Sequence, residues 1–303
     1  MATLGKPKKK KRRISGTLTF LLAFIVFLLV FGGLCLWAVT NVMRERTMKN
    51  APPSSAGEDV STVQFHAEDA RNLLIVTTDD QQAQGFVIVR TDPANMRIRT
   101  LALPRETNVA VGTEWFRLYE LYSAKGVQET RAAIEEQLGI SLDHYAVVTY
   151  PNIEKILRYY DSGLIFTVIE NLDSLQITGG LKNLTPTQVT DLLRYTSWRG
   201  GYQQRADIQA QIAAAMINQY MVPGRLASAE ADFNALINLV QSDIKVSHYV
   251  QAKPGLDYLT QRNTGDICAV VSPAGSYVGS GEQIRFELEE TAAASLHTVF
   301  GTS

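Results

Sequence analysis

The chain has 303 residues, 46% hydrophobic and 19% charged, and its 29 Lys and Arg nearly balance 30 Asp and Glu for a formal net charge of −1. Taking the seven basic residues of KPKKKKRR (6–13) from those 29 leaves 22 against 30, so the remainder is acidic by about eight charges, which excludes a binder of nucleic-acid backbone. Cys35 and Cys268 are the only cysteines, and Cys35 falls in an apolar run, so no intrachain disulfide is available to the rest, whose stability must come from a core.

From Thr17 to about Thr40 the chain is uncharged and almost entirely apolar, long enough for one transmembrane helix and too long for an ordinary secretory signal. Trp37 fits an interfacial anchor, and the basic residues concentrate before the span, which places the N-terminus in the cytoplasm and everything after it outside. The expected organisation is a basic cytoplasmic tail (1–16), a transmembrane helix (17–40), an extracellular linker (41–69) containing the Pro-, Ser- and Gly-rich NAPPSSAGEDVST, and an extracellular domain (70–303). The protein is therefore expected in the cell membrane as a single-pass chain.

Beyond the linker, NLLIVTT (72–78) and FVIVRT (86–91) have the length and β-branched content of strands, and DPAN (92–95) supplies turn chemistry before RIRTLAL (97–103), predicting a hairpin. Residues 124–138 place Val127, Ile134 and Leu138 on one helical face with Gly139 as the stop. HYAVVTY (144–150) reads as a buried strand and NIEKILRYY (152–160) as a helix. Thr185-Pro186-Thr187-Gln188 is a capping box that starts another helix. A longer helix is expected over 202–221, with Ile208, Ile212 and Met216 on its apolar stripe, a further one over 230–240, and closing strands at ICAVV (267–271) and QIRFEL (283–288). Alternating strands and helices predict an α/β fold: a three-layer domain with a central mixed β-sheet flanked by helices.

Several charges sit against this pattern. Arg105 and Glu106 follow the buried-looking RIRTLAL run, consistent with either a surface ion pair or a site. Arg205 falls in the sector of Ile208, Ile212 and Met216, in the first turn of its helix, where the backbone dipole favours an anion; the reading is a bound anion or a snorkelling side chain. Arg194 is in the last turn of its helix, where a cation is favoured anyway. Asp79 and Asp80 directly follow NLLIVTT, either as a polar strand end or as oxygen ligands for Mg²⁺. No HxxxH, CxxC, GxSxG or GxxxxGK[ST] pattern occurs, which disfavours zinc hydrolases, α/β-hydrolases and P-loop proteins.

Taken together, these segments resemble the LytR-CpsA-Psr family of membrane-anchored enzymes that attach cell-wall polymers to peptidoglycan. NLLIVTTDD is similar to the family's first core strand with its aspartate, FVIVRTDP to its second strand, and ALPRETN (102–108) to its IPRDT motif. RLYELYSAKG (117–126), LGISLDHYAVVTY (138–150), LTPTQVTDLLRY (184–195), GYQQRADIQAQI (201–212) and PAGSYVGSGEQIRFEL (273–288) match further family segments in order. The resemblance implies that Arg105, Arg194 and Arg205 bind the pyrophosphate of a polyprenyl-linked glycan. Glu106, in place of the usual aspartate, and Arg117 would contribute to substrate binding, and Asp79 would hold Mg²⁺. The partners implied are polyprenyl pyrophosphate-linked glycan, peptidoglycan and the membrane, with no nucleic acid.

Family charges are missing at Gln81, Gln82, Gln84, Thr196 and Tyr202, and Tyr119 replaces an asparagine. The lost Gln84 carboxylate puts the Mg²⁺ site in question. Two functions remain open: a phosphotransferase, or a catalytically inactive relative that binds lipid-linked or anionic glycan or scaffolds cell-wall assembly.

Overall fold

The computed structural model describes residues 64–160 and 163–301; the basic tail, the apolar run 17–40 and most of the linker lie outside the described residues. In chain order come strands β1 (Arg71–Asp79), β2 (Gln82–Asp92), β3 (Arg97–Leu103), β4 (Asn108–Val111) and β5 (Glu114–Arg117), then helix α1 (Leu118–Leu138). Next are β6 (His144–Thr149), α2 (Tyr150–Tyr160), β7 (Leu164–Val168), β8 (Gly180–Leu184), α3 (Pro186–Arg194), α4 (Gly201–Tyr220) and α5 (Ala229–Leu236). The chain continues through β9 (Gln241–Ser242), α6 (Val246–Arg262), β10 (Cys268–Val271), β11 (Gly275–Val278), β12 (Arg285–Leu288) and α7 (Ala292–Phe300).

The central sheet has six strands in the order β10-β3-β2-β1-β6-β9. It is mixed: β1 runs parallel to β6 and β3 to β10, while β1–β2, β2–β3 and β6–β9 are antiparallel. The period-two alternation of strand side chains assigns the two faces. Leu74, Val76, Phe86, Ile88, Leu101 and Leu103 share one core with Ile134 and Leu138 of α1 and with Leu296 and Phe300 of α7. The intervening Val87, Val89, Ile98 and Ala102 pack on Ala206, Ala210 and Ala214 of α4. Val148 joins a third cluster built from α2, α3 and α4. Helices thus cover both faces of a mixed sheet, the three-layer α/β arrangement the alternating pattern predicts.

Several local readings hold. The β2–β3 hairpin forms in antiparallel register. Thr185 Oγ1 accepts from the Gln188 amide at 3.3 Å while Gln188 Oε1 accepts from the Thr185 amide at 3.0 Å, the reciprocal box that starts α3. Other readings need correction. Helix α1 begins at Leu118 rather than residue 124, and its two segments meet at a kink where Gly126 has φ +79°. Tyr150 opens α2 instead of ending β6, and α5 stops at Leu236 before a 3₁₀ turn, Ile237–Leu239. The QIRFEL strand pairs with β11 in a separate two-stranded ribbon outside the central sheet.

Candidate functional site: an arginine cluster beside an apolar cavity

The ALPRETN segment makes a tight turn. The Thr107 amide donates to the Pro104 carbonyl at 2.9 Å and the Thr107 hydroxyl donates to the same oxygen at 2.7 Å, leaving Arg105 and Glu106 as the two central residues. Both ends are fastened: the Tyr119 amide donates to the Arg105 carbonyl at 3.2 Å and the Phe286 amide to the Glu106 carbonyl at 2.8 Å. Arg105 is therefore held by the first turn of α1 and by β12, and its guanidinium stacks 4.3 Å from the centroid of the Tyr119 ring.

Gln84, two residues into β2, gathers the cluster. Arg105 Nη1 donates to Gln84 Oε1 at 2.6 Å and Arg205 Nη2 donates to the same atom at 3.0 Å. Arg205 is buried, 7% exposed, on the inward face of α4 as its helical sector predicts, and its Nε has no hydrogen-bond partner among the described residues. Gln84 bridges the two cations without neutralising either: Arg105 is paired with Glu106, whereas Arg205 has no carboxylate partner among the described residues. Burial draws the Arg105 guanidinium below its usual value, with the Glu106 charge opposing and the Arg205 charge adding to the effect. Glu106 is itself buried, its Oε1 3.6 Å from Arg105 Nε, and burial pushes its carboxyl above the ordinary glutamate value.

Arg194 joins from the end of α3. Its Nε and Nη2 donate to the two oxygens of Asp79 at 3.0 and 3.2 Å, a bidentate pair that raises the Arg194 pKa. Its guanidinium lies 5.1 Å from the centroid of the Tyr150 ring. Tyr150 is buried, its hydroxyl donates to the Leu193 carbonyl at 3.0 Å, and burial raises its pKa while the nearby Arg205 charge lowers it. Tyr150 and Gln84 thus tie the three arginines to one locus, although Arg194 is more exposed than the other two. Arg117 stands apart. Its guanidinium bonds Glu120 and the Glu282 carbonyl, and it meets the cluster only through Tyr119, whose ring centroid is 4.9 Å away.

Beneath the cluster, between β1, β6 and the helices α2 and α4, is an apolar cavity of about 180 Å³. Its lining includes Leu193, which precedes Arg194, and Gln209, whose Nε2 donates to the Gln84 carbonyl at 3.0 Å, so the cavity adjoins the arginine cluster. A wider groove of about 420 Å³ shares the lining residues Ala146, Ile156, Met216 and Val240 and extends the apolar surface to Phe233 and Tyr249. Amphipathic compounds with an anionic head and a long apolar tail match this pairing of charge and cavity.

Asp79, the residue expected to hold Mg²⁺, is engaged by a guanidinium group. Both its oxygens are occupied by Arg194, and the position that would supply a second carboxylate presents the Gln84 amide to two guanidinium groups. Mg²⁺ is commonly held through one or two carboxylates, with water and substrate phosphate oxygens completing the octahedron. Among the described residues no group of three or more His, Cys, Asp or Glu is placed to hold a metal ion. Asp80 lies in the β1–β2 turn, lining a different, polar cleft.

Sequence reasoning missed Gln84 as a bridge, reading it only as a lost carboxylate, and missed Tyr150 and Gln209 entirely. The Arg194–Asp79 pair joins residues 115 positions apart and leaves no local trace.

The model described as the LytR_cpsA_psr family matches residues 38–270. No curated protein matches the chain in sequence. Among solved structures, TagV of B. subtilis is similar at 19% identity and TM-score 0.65, covering 76% of this chain and 95% of its own. A protein from Eubacterium siraeum DSM 15702, solved under the description of a transcription regulator, has 14% identity, TM-score 0.70, and coverage of 84% and 100%. TagT bound to LIIa-WTA has 14% identity, TM-score 0.63, and coverage of 83% and 98%. At these identities the structures establish the fold alone. The family match spans most of the chain, and the chain belongs to the LytR_cpsA_psr family.

Proposed function

We propose that this protein is a membrane-anchored phosphotransferase that moves a cell-wall glycopolymer from a polyprenyl pyrophosphate carrier to peptidoglycan. One observation carries the reading: Arg105 and Arg205, from distant elements, donate to the same Gln84 oxygen beside an apolar cavity, with a buried Arg205 Nε–H left unpaired. An orphaned cationic donor in a buried site is costly unless a ligand satisfies it. The similar structure of TagT bound to LIIa-WTA, a wall teichoic acid compound, supports glycopolymer as the cargo.

In this account the diphosphate lies across Arg105 and Arg205 with Arg194 at the outer edge, and the prenyl chain enters the cavity. Residues 17–40 anchor the chain with its N-terminus in the cytoplasm, residues 41–69 tether the domain of 70–303, and the site faces the extracellular surface. The acceptor hydroxyl oxygen forms a bond to the phosphorus next to the glycan. The bond from that phosphorus to the bridging oxygen breaks, and polyprenyl monophosphate leaves with the hydroxyl proton. Charge building up on the phosphoryl oxygens is met by preorganised guanidinium groups, which is the main catalytic requirement of such a transfer.

A second reading, binding without turnover, is favoured by the occupied Asp79 carboxylate and the neutral Gln84. The two separate in one assay with the full chain in detergent, radiolabelled lipid-linked glycan and soluble peptidoglycan. Label reaching peptidoglycan, and lost in Arg105→Ala, is the expected result. Saturable binding of the donor with no transfer makes the protein a binder instead.

A further inference from the structure

A second groove, of about 730 Å³, runs along the β4–β5 and β11–β12 hairpins, on the far side of Tyr119 from Arg105. Its wall carries Trp115, which is 64% exposed, the largest apolar side chain left so open in this part of the molecule. Beside it stand Asn108, Gln137 and Gln283, whose side-chain amides have no hydrogen-bond partner among the described residues. Arg117 and Arg285 also line it, each already neutralised: Arg117 by Glu120, and Arg285 by Glu287, with Nε to Oε1 at 2.6 Å.

This is a charge-balanced cleft with one flat indole face and a set of idle amide donors and acceptors. Both guanidinium groups are ion-paired, and no buried cationic N–H without a partner, such as that of Arg205, is present among the described residues of the groove to favour an anion. An uncharged saccharide fits: the apolar face of a sugar ring stacks on the indole, and its hydroxyls and amides pair with side chains able both to donate and to accept. The volume lies in the range of small-molecule sites. The groove is also fixed in place, because Arg117 donates to the Glu282 and Ile284 carbonyls and so locks the β4–β5 hairpin to the turn before β12. Its inner end meets the arginine cluster across a single ring, since Tyr119 is flanked by the Arg105 and Arg117 guanidinium groups at 4.3 and 4.9 Å.

We infer that this groove is the subsite for an uncharged N-acetylhexosamine strand, positioned so that a hydroxyl of the bound glycan reaches the phosphate site past Tyr119. The inference rests on the phosphotransferase reading, for which it supplies the acceptor side. The anionic donor goes to the cluster that holds the unpaired Arg205 Nε–H, and the neutral acceptor to the groove whose guanidinium groups are both ion-paired.

The test uses the full chain in detergent and N-acetylchitotetraose as the probe, followed by tryptophan fluorescence and by calorimetry. Saturable binding is expected, weakened about 10-fold or more in Trp115→Ala and nearly retained in Trp115→Tyr, whose ring still offers a stacking face. Arg105→Ala is expected to leave chitotetraose affinity unchanged while weakening geranylgeranyl diphosphate, which separates the two sites. Absence of chitotetraose binding, equal affinity in Trp115→Ala, or preferential binding of a poly(glycerol phosphate) at the Trp115 groove each overturns the subsite. Chitotetraose binding through Trp115 in a protein that never transfers glycan would sustain the subsite and remove the phosphotransferase reading.

Discussion

Gln84 decides the electrostatics of the arginine cluster. As a neutral acceptor between Arg105 and Arg205 it orders both guanidinium groups without cancelling their charge. A carboxylate there would occupy the place of a ligand anion. Gln84→Glu is accordingly expected to lower geranylgeranyl diphosphate affinity about 10-fold or more by calorimetry, a charge-assisted contact contributing about 1.5–3 kcal/mol. Unchanged affinity would show that the bridge is only structural. Glu106 offers a separate check. Burial raises its carboxyl above the ordinary value of 4.5, so the folded state holds the proton more tightly than the unfolded chain. Such a group contributes stability while protonated and loses it as pH rises from 4.5 through its folded value. In urea unfolding, wild type is expected to lose stability relative to Glu106→Gln over that interval; parallel curves would refute the assignment.

At the level of elements, side chains finish what the backbone leaves open. The carboxyl end of α4 is closed by Asn263, whose Nδ2 donates to the Asn218 and Met221 carbonyls at 3.0 and 2.7 Å while its Oδ1 accepts from the Gly265 amide at 2.8 Å. Asn263 is 3% exposed, so its removal leaves buried carbonyls unpaired. Asn263→Ala is expected to cost about 2 kcal/mol in urea unfolding; a change below about 0.5 kcal/mol would mean that water replaces the cap. The same elements show what was legible beforehand. Strands β1, β2, β3 and β6 were readable because both faces are covered and their apolar runs are nearly continuous. Helix α3 was readable from its capping box, and Arg205 from its place on an apolar stripe. Helix α6 was hidden by Pro254 in its interior, and the early turns of α1 by Gly126, whose φ of +79° interrupts the helical period. The β4–β5 and β7–β8 ribbons are too short for a pattern to stand out.

Across the whole domain, the mixed sheet sets β1, β2 and β6 side by side, and the chain segments leaving their ends converge. Asp79 ends β1, Gln84 begins β2, Tyr150 follows β6, and α3 and α4 deliver Arg194 and Arg205 to the same place. The arginines themselves were recoverable from the sequence by resemblance and helical phase. Their neutral and aromatic partners were not, because Gln84, Tyr119 and Tyr150 acquire their roles only through contacts between distant segments. The cavity under the cluster likewise follows from how α2 and α4 lie over the sheet, with Ile153, Ile212 and Met216 as its walls.

Calorimetric titration of the full chain in detergent with geranylgeranyl diphosphate and with inorganic diphosphate, in wild type and Arg205→Ala, tests the joined charge and cavity most directly. The prenyl compound should bind more tightly than inorganic diphosphate, and Arg205→Ala should weaken both about 10- to 100-fold. Equal affinity for the two ligands, or no loss in Arg205→Ala, would contradict a diphosphate site built beside the apolar cavity.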